Sequence, residues 1–284
     1  MKDSEAIDWC RENLLVAGNP LTASLPYAPE ALRDRIIALR AVIAEIARVA
    51  DQVSEAEVGR ARLAWWRQAL RESLPHPAVQ AWTASGGAAD IDPASFDALI
   101  EGVARTLHEP RFENRDQAWR FCRQVGGTAW ALEADLVDPG GRARETMSEL
   151  GAASYAIRLV RDLGIDARNH RWMAPLDLQA SYQVSRADAL GEHGASTGFN
   201  GMIRAWLDDI LGRCNEAVAG FDPEQAWRQR HLFILHALDR RLALKLARHP
   251  RRILSGRVLP GQAGNAWRAW RTARRLRKGR VSRR

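Results

Sequence analysis

Residues 154–175, SYAIRLVRDLGIDARNHRWMAP, decide how the rest of the chain is interpreted. The stretch has helical periodicity through Leu163, and Arg158, Asp162 and Asp166 stack at four-residue spacing on one face. Two carboxylates one turn apart destabilise an isolated helix by about 0.2–0.5 kcal/mol, and Gly164 between them costs about 1 kcal/mol relative to alanine. Polar residues that oppose local helix propensity in this way are typical of a functional site.

Two interpretations of this stretch remain open from the residues alone. Arg161, Arg168 and Arg171 surround the acidic pair, so the acids could hold a metal ion while the arginines hold a phosphate. In the other interpretation the same face is simply solvated, and Arg158 forms an ordinary ion pair with Asp162.

The composition is that of a globular protein. The 284 residues are 46% apolar, and no uncharged apolar run approaches the ~18–20 residues that span a bilayer. The start, MKDSEAIDW, is acidic and lacks the apolar core of a signal peptide. Cys10, Cys122 and Cys214 are odd in number and far apart, which indicates neither a disulfide framework nor a zinc ribbon. We therefore expect a reducing, cytoplasmic location.

The positive charge is concentrated at one end of the chain. The formal net charge is +8, but residues 268–284 contain nine Lys and Arg and no acid, which leaves the rest near −1. A basic segment after Trp267 and Trp270 suits an anionic membrane surface, with the indoles at the interface. We therefore expect a peripheral position on the inner face of the membrane. Nucleic-acid binding is weakly indicated because no reading module accompanies the tail, and a solvated terminus is the third interpretation.

The pattern predicts an all-α fold, because no alternating β-branched run indicates a strand. Gly59 is interpreted as a helix break and 20–29 and 84–93 as loops. We expect one helical domain over 1–265, followed by a basic tail over 266–284. The predicted helices are 5–17, 30–57, 60–73, 94–107, 114–137, 142–166, 186–191, 200–219, 223–248 and 264–279.

A second acidic pair, Asp51 and Glu55, ends the helix predicted over 30–57. If this helix faces the one that carries Asp162 and Asp166, the two pairs could hold a diphosphate between Mg²⁺ ions. An apolar, water-poor cavity would also be needed, so that an allylic cation is not quenched.

Three segments resemble the squalene/phytoene synthase family over about residues 20–260. The sequence RLVRDLGIDARNHRWMAPLDL is similar to the family's second aspartate-rich motif, approximately N-x-x-R-D-x-x-x-D-x-R-x-x-R before a proline. Phe121-Cys122, followed by Val125-Gly126-Gly127-Thr128, resembles its Y-C-x-x-V-A-G-T segment. Ala50–Glu55 lies where the family carries its first motif, D-D-x-x-D-E. The residues that match the second motif are Arg161, Asp162, Asp166, Arg168, Arg171 and Pro175.

The resemblance implies a single-domain, isoprenoid-synthase-type helical bundle around a central cavity. It implies a prenyltransferase of isoprenoid biosynthesis that condenses two farnesyl or geranylgeranyl diphosphates head to head through a cyclopropyl intermediate. Mg²⁺ would bridge the acidic motifs to the diphosphates, and NADPH would be required if a squalene-type reduction occurs. The residues implied in metal binding and catalysis are Asp51, Glu55, Asp162 and Asp166, and those implied in diphosphate binding are Arg161, Arg168 and Arg171.

Departures from the family pattern leave a non-catalytic alternative open. The first motif retains only D-x-x-x-E, and Arg158 stands where the family has asparagine. Trp130 replaces a glycine of the V-A-G-T-V-G segment and is expected to fill cavity volume. The sequence of residues 51–70 is more similar to a divergent branch of the family, which includes a mitochondrial assembly factor for respiratory complex I. Binding of a diphosphate is therefore better supported than a completed condensation, and an assembly or binding factor is the alternative.

Overall fold

The computed structural model describes residues 3–53, 55–108, 110–190, 196–258 and 261–281, and this part of the chain contains helices and no β-strand. The all-α prediction is confirmed. The longer α-helices are α1 (Asp3–Leu14), α3 (Arg33–Gln52), α4 (Ala56–Glu72), α5 (Pro77–Ala84), α7 (Asp97–Thr106), α8 (Arg115–Cys122), α9 (Thr128–Val137), α10 (Arg144–Arg168), α13 (Thr197–Ala217), α15 (Arg230–Arg248) and α17 (Gln262–Leu276). Shorter ones are α2 (Leu21–Ser24), α6 (Gly87–Asp90), α11 (Leu176–Tyr182), α12 (Arg186–Leu190), α14 (Pro223–Arg228) and α16 (Arg252–Ser255).

Helices α3 and α10 position the site. Helix α3 packs on α1, α5 and α7, and α10 packs on α9, α13, α15 and α16. The first half of α10 is rich in glycine and alanine, from Gly151 to Ala156, which lets neighbouring helices approach closely on several sides. Each of the two helices keeps one further face that does not pack against another helix and lines a cavity instead.

One close approach in the wall of the cavity requires glycines. A π-helical turn, Arg123–Gly127, joins α8 to α9 and places Gly126 against Gly151 of α10. A Cβ atom on Gly126 would meet the Gly151 carbonyl oxygen and lie 2.5 Å from the Tyr155 Cβ. The V-G-G-T segment noted in the sequence therefore forms the contact between two helices, and its Val125 and Gly126 line the cavity.

The end of α3 contradicts the predicted second acidic pair. The helix ends at Gln52, and Val53 is extended at φ −120° and ψ 139°. Asp51 and Glu55 therefore do not share a helix face, since Glu55 is the N-cap residue of the next helix, α4. The predicted break at Gly59 is also wrong. Gly59 is buried within α4, where a Cβ would lie 2.6 Å from the Leu107 side chain.

The remaining differences concern short elements. Residues 20–29, predicted as a loop, contain helix α2 and a 3₁₀ turn at Leu25–Tyr27. Residues 84–93 include the one-turn helix α6. The helix predicted over 223–248 is interrupted at Gln229, between α14 and α15.

The C-terminal helix α17 packs on α15 and α2 and straddles the predicted domain boundary. Its Ala269 and Ala273 lie against Ile234 and Leu238 of α15, while its opposite face is exposed. Among the described residues, every helix is too short or too polar to cross a membrane. The three cysteines, Cys10, Cys122 and Cys214, are free and buried.

Candidate active site

A cavity of about 390 Å³ lies between α3, α7, α10 and the π-helical turn. The residues that face it repeat at helical spacing, which is why one wall comes from α3 and another from α10. From α3 these include Arg40, Ala44, Ala47 and Asp51, and from α10 they include Tyr155, Arg158, Leu159, Asp162 and Asp166. On α3, Arg40 precedes Asp51 by about three turns, and on α10, Arg158 precedes Asp162 by one turn and Asp166 by two.

Most of the remaining lining is apolar. Small or aliphatic side chains from several elements surround the space, so it offers room for hydrocarbon beside its charged groups. These side chains are Leu14, Leu21, Ile43, Ala50, Leu99, Val103, Val125, Ala129 and Met173.

Three of the four predicted acids converge on this cavity, namely Asp51, Asp162 and Asp166. Arg171 connects two of them, with Nη1 2.7 Å from Asp51 Oδ1 and Nη2 3.0 Å from Asp166 Oδ1. Because Asp51 lies on α3 and Asp166 on α10, this bridge joins the two walls. Burial raises the pKa of Asp166 above its ordinary value, and the Arg171 guanidinium opposes that rise.

The third acid is also held by guanidinium groups. Asp162 accepts from Arg161 Nη2 at 2.6 Å and from Arg257 Nε at 3.0 Å. The ordinary Arg158–Asp162 ion pair considered from the sequence is not the arrangement found. The Arg158 guanidinium instead lies over the Tyr155 ring, 5.8 Å from its centre.

Two predicted site residues are not brought to the cavity. Glu55 is exposed and lines a neighbouring surface pocket, because α3 ends before it and the chain turns away. Arg168 is exposed as well, and its Nη1 donates to the Leu254 carbonyl oxygen at 3.0 Å. Of the predicted diphosphate-binding arginines, the cavity receives Arg161 and Arg171.

Trp130 does not fill the cavity, contrary to the expectation from the sequence. Its side chain is 2% exposed and is absent from the described residues that line the space. It lies beside Gly151, where a Cβ atom would come within 2.7 Å of the Trp130 Cβ. The missing side chain at Gly151 therefore accommodates the indole behind the wall.

A buried ionic group holds Arg40 at the wall. Arg40 Nε lies 2.5 Å from Glu133 Oε2, and His231 Nε2 lies 2.7 Å from Glu133 Oε1. Burial alone would raise the pKa of Glu133, but Arg40 and His231 outweigh it and lower that pKa to about 2. The group joins α3, α9 and α15 behind the cavity.

Arg40 and Arg257 are cavity residues that the sequence interpretation missed. Arg40 carried a usable signal, because Arg40, Ala44, Ala47 and Asp51 follow one helix face with small residues between two charges. Arg257 carried none, since it reaches Asp162 from 95 positions away in the sequence.

The carboxylates match Mg²⁺ in chemistry but not in their present arrangement. Aspartate oxygens are ligands that Mg²⁺ prefers. However, each of the three cavity aspartates is paired with a guanidinium group, and the described residues contain no cluster of three acidic, histidine or cysteine side chains placed to hold a metal ion. The arginines would have to release the aspartates before a metal ion could be ligated.

Known proteins resemble this chain in both sequence and fold. The phytoene synthase of Thermus thermophilus is 28% identical over 148 residues, which cover 50% of each chain. The 15-cis-phytoene synthase of Enterobacter agglomerans is 33% identical over 124 residues, 42% of this chain and 41% of that protein. The chain thus matches about half the length of these curated relatives, or less.

Solved structures extend the fold likeness to nearly the whole chain. A dehydrosqualene synthase in complex with ligand superposes with a TM-score of 0.76 at 14% identity, covering 97% of this chain and 96% of that one. A squalene synthase from Alicyclobacillus acidocaldarius gives a TM-score of 0.69 at 15% identity, covering 89% and 96%. The isoprenoid-synthase-type helical bundle is therefore confirmed. Since the squalene/phytoene synthase family model also matches residues 19–263, the chain belongs to the squalene/phytoene synthase family.

Proposed function

We propose that the chain binds prenyl diphosphates in this cavity and condenses two of them head to head. The observation that carries the proposal is the convergence of Asp51, Asp162 and Asp166 from two sequence-distant segments on one largely apolar space. Guanidinium groups suit a diphosphate, and apolar walls suit a prenyl chain. The same walls would keep water from an allylic cation after the diphosphate leaves.

The cavity residues divide into two proposed roles. Arg161 and Arg171 would bind the diphosphate, while the aspartates hold these guanidinium groups in place through the contacts described above. Members of the family use a divalent metal, typically Mg²⁺, for prenyl diphosphate binding. NADPH would take part only if the product is reduced as in squalene synthesis.

The non-catalytic alternative, an assembly factor on the same bundle, is not favoured. The relatives with the sequence matches described above are named as synthases, and the cavity is not plugged by Trp130. Both observations support a protein that still accepts a substrate.

Incubation with farnesyl and with geranylgeranyl diphosphate tests the condensation. In the presence of Mg²⁺ and lipid, with and without NADPH, we expect release of pyrophosphate together with an apolar product of twice the substrate's carbon content. Mass spectrometry of the extract identifies the product and its chain length. Release of neither pyrophosphate nor a coupled product from either substrate would refute the proposed activity.

We further propose that the exposed face of α17 docks the protein on the inner, anionic face of a membrane. Trp267 and Trp270 are 51% and 50% exposed, and the guanidinium groups of Arg271 and Arg274 stack on their rings at 5.2 and 5.5 Å. Indoles beside cations suit the boundary between headgroups and acyl chains, and each Lys or Arg near an anionic surface contributes about 1 kcal/mol. A surface location would also suit an apolar product.

Vesicle sedimentation tests this location. We expect the protein to bind phosphatidylglycerol vesicles more tightly than phosphatidylcholine vesicles, and the Trp267→Ala/Trp270→Ala variant to lose roughly tenfold in partition. Trp65→Ala is the matched control, because Trp65 is an exposed tryptophan on α4. Equal losses in both variants, or binding to DNA in preference to vesicles, would contradict membrane docking.

A further inference from the structure

Arg158 presents an uncommitted positive charge to the cavity. Its side chain has accessible surface because it lines the cavity, one turn before Asp162, although protein surrounds that cavity. Among the described residues it takes part in no ion pair, and its guanidinium lies over the Tyr155 ring. Burial lowers the pKa of Arg158, and the charge of Asp239 opposes that effect. A guanidinium nevertheless remains charged at neutral pH.

The other arginines of the wall already have carboxylate partners. Arg40 pairs with the buried Glu133, and Arg161 and Arg257 share Asp162. Arg171 spans the two remaining aspartates. The wall as a whole carries five guanidinium groups and three carboxylates. The acids are therefore neutralised by their own arginines and would not repel an incoming anion, and Arg158 has donors left for it.

We infer that Arg158 binds the diphosphate of the prenyl substrate directly, so that this cavity takes up the anion without a metal ion. The inference rests on the proposed function. A planar guanidinium can donate two parallel hydrogen bonds to phosphate oxygens, and such charge-assisted bonds are stronger in a water-poor cavity. The pattern of the family has a neutral asparagine at this position, so the additional charge belongs to this chain.

Calorimetric titration in EDTA provides the test. The probe is farnesyl S-thiolodiphosphate, which resists cleavage, and farnesol is the uncharged comparison. We expect the wild-type protein to bind the thiolodiphosphate in EDTA at least tenfold more tightly than farnesol. Arg158→Asn should lose about tenfold or more of that affinity, because it removes charge-assisted hydrogen bonds. Arg158→Lys keeps the charge but not the paired donors, so its loss should be smaller.

Arg204→Asn is the matched control. Arg204 is an exposed arginine on α13 that donates to the Ala247 carbonyl oxygen, and its removal should leave the affinity unchanged. Binding that requires Mg²⁺ would overturn the inference and leave the proposed function standing. No binding with or without Mg²⁺ would overturn both. If a folded Arg158→Asn variant binds in EDTA with wild-type affinity, Arg158 is not part of the binding site. If that variant does not fold, wild-type affinity of Arg158→Lys would lead to the same conclusion.

Discussion

At the scale of single residues, the bridging role of Arg171 depends on the shape of its guanidinium group as well as on its charge. Its two terminal nitrogens reach aspartates on different helices, which a single ammonium group cannot reproduce. We expect Arg171→Lys to lower the free energy of unfolding by about 1 kcal/mol, since the contact is half-buried. Urea denaturation measures the change.

The control for this substitution lies three residues earlier. Arg168 makes one hydrogen bond, to the Leu254 carbonyl oxygen, and a lysine can also donate to a carbonyl. Arg168→Lys should therefore leave the midpoint of denaturation nearly unchanged. If the two variants shift the midpoint equally, the bridging role of Arg171 is not what stabilises this region.

His236 should make stability depend on pH. Burial, with a smaller contribution from Arg240, lowers the pKa of His236 from 6.5 to about 4. Between these values the unfolded chain binds a proton at this residue and the folded chain does not, so the free energy of unfolding falls as pH is lowered from 6.5 towards 4. The contribution is at most about 3.5 kcal/mol, at about 1.4 kcal/mol per pKa unit.

Denaturation at pH 7 and pH 5 isolates this effect. His236→Gln cannot take up the proton, so the difference in stability between the two pH values should shrink in the variant. Burial also lowers the pKa of His76, which contributes to both proteins alike and cancels in the comparison. An unchanged pH dependence in the variant would show that His236 is not responsible.

At the scale of elements, the contact between the π-helical turn and α10 tolerates no side chain. A Cβ on residue 151 would meet the Gly126 carbonyl oxygen and the Trp130 Cβ, and neither is the end of a flexible chain. We therefore expect Gly151→Ala to lower the free energy of unfolding by about 1–3 kcal/mol. Thermal denaturation followed by circular dichroism measures it.

Gly212→Ala tests the explanation. Gly212 lies within α13, and a Cβ there would meet no atom within 4 Å. Alanine should stabilise that helix by up to about 1 kcal/mol. A destabilising effect of similar size at both glycines would point to a general effect of the substitution and not to the close approach.

The all-α fold and many helix positions could be predicted from the sequence, whereas some helix ends could not. The apolar spacing that predicts α3 and α10 reports which face is buried, and it continues past the place where α3 stops. Helix α3 ends at Gln52 because Val53 is extended, and no glycine, asparagine or proline at this point of the sequence indicates a helix end. Gly59 does not end a helix, because its small size permits close packing against the Leu107 side chain within α4.

At the scale of the whole molecule, the site could be predicted where its residues form a local pattern or fall on a motif of the family, as Asp51, Asp162 and Asp166 do. Asp162 and Asp166 are one turn apart, and their helical spacing was enough to place them on one surface. Arg257 and the Glu133 group arrive from distant segments and carry no local pattern. The sequence around Trp130 does not show that Gly151, on another helix, leaves the space that its indole occupies.

The cavity's size predicts a preference for chain length. Ala44 lines the space on α3 and carries no polar side-chain atom, so Ala44→Phe removes volume without removing a charged group. We expect the affinity for geranylgeranyl diphosphate to fall more than the affinity for farnesyl diphosphate. The affinity for pyrophosphate, which has no prenyl chain, should not change. Ala61→Phe, at an exposed position of α4, is the control. An equal loss for pyrophosphate would show that the variant disturbs the charged groups instead.

The buried thiols make the chain convenient for labelling. Burial raises the pKa of Cys10 to about 11 and that of Cys214 to about 12, and it raises the pKa of Cys122 further still. Thiol reagents attack the thiolate, so all three native cysteines should resist maleimides in the folded protein. A cysteine introduced by Trp270→Cys would then be the single reactive position, and a polarity-sensitive dye attached there could report contact with lipid without removal of any native cysteine.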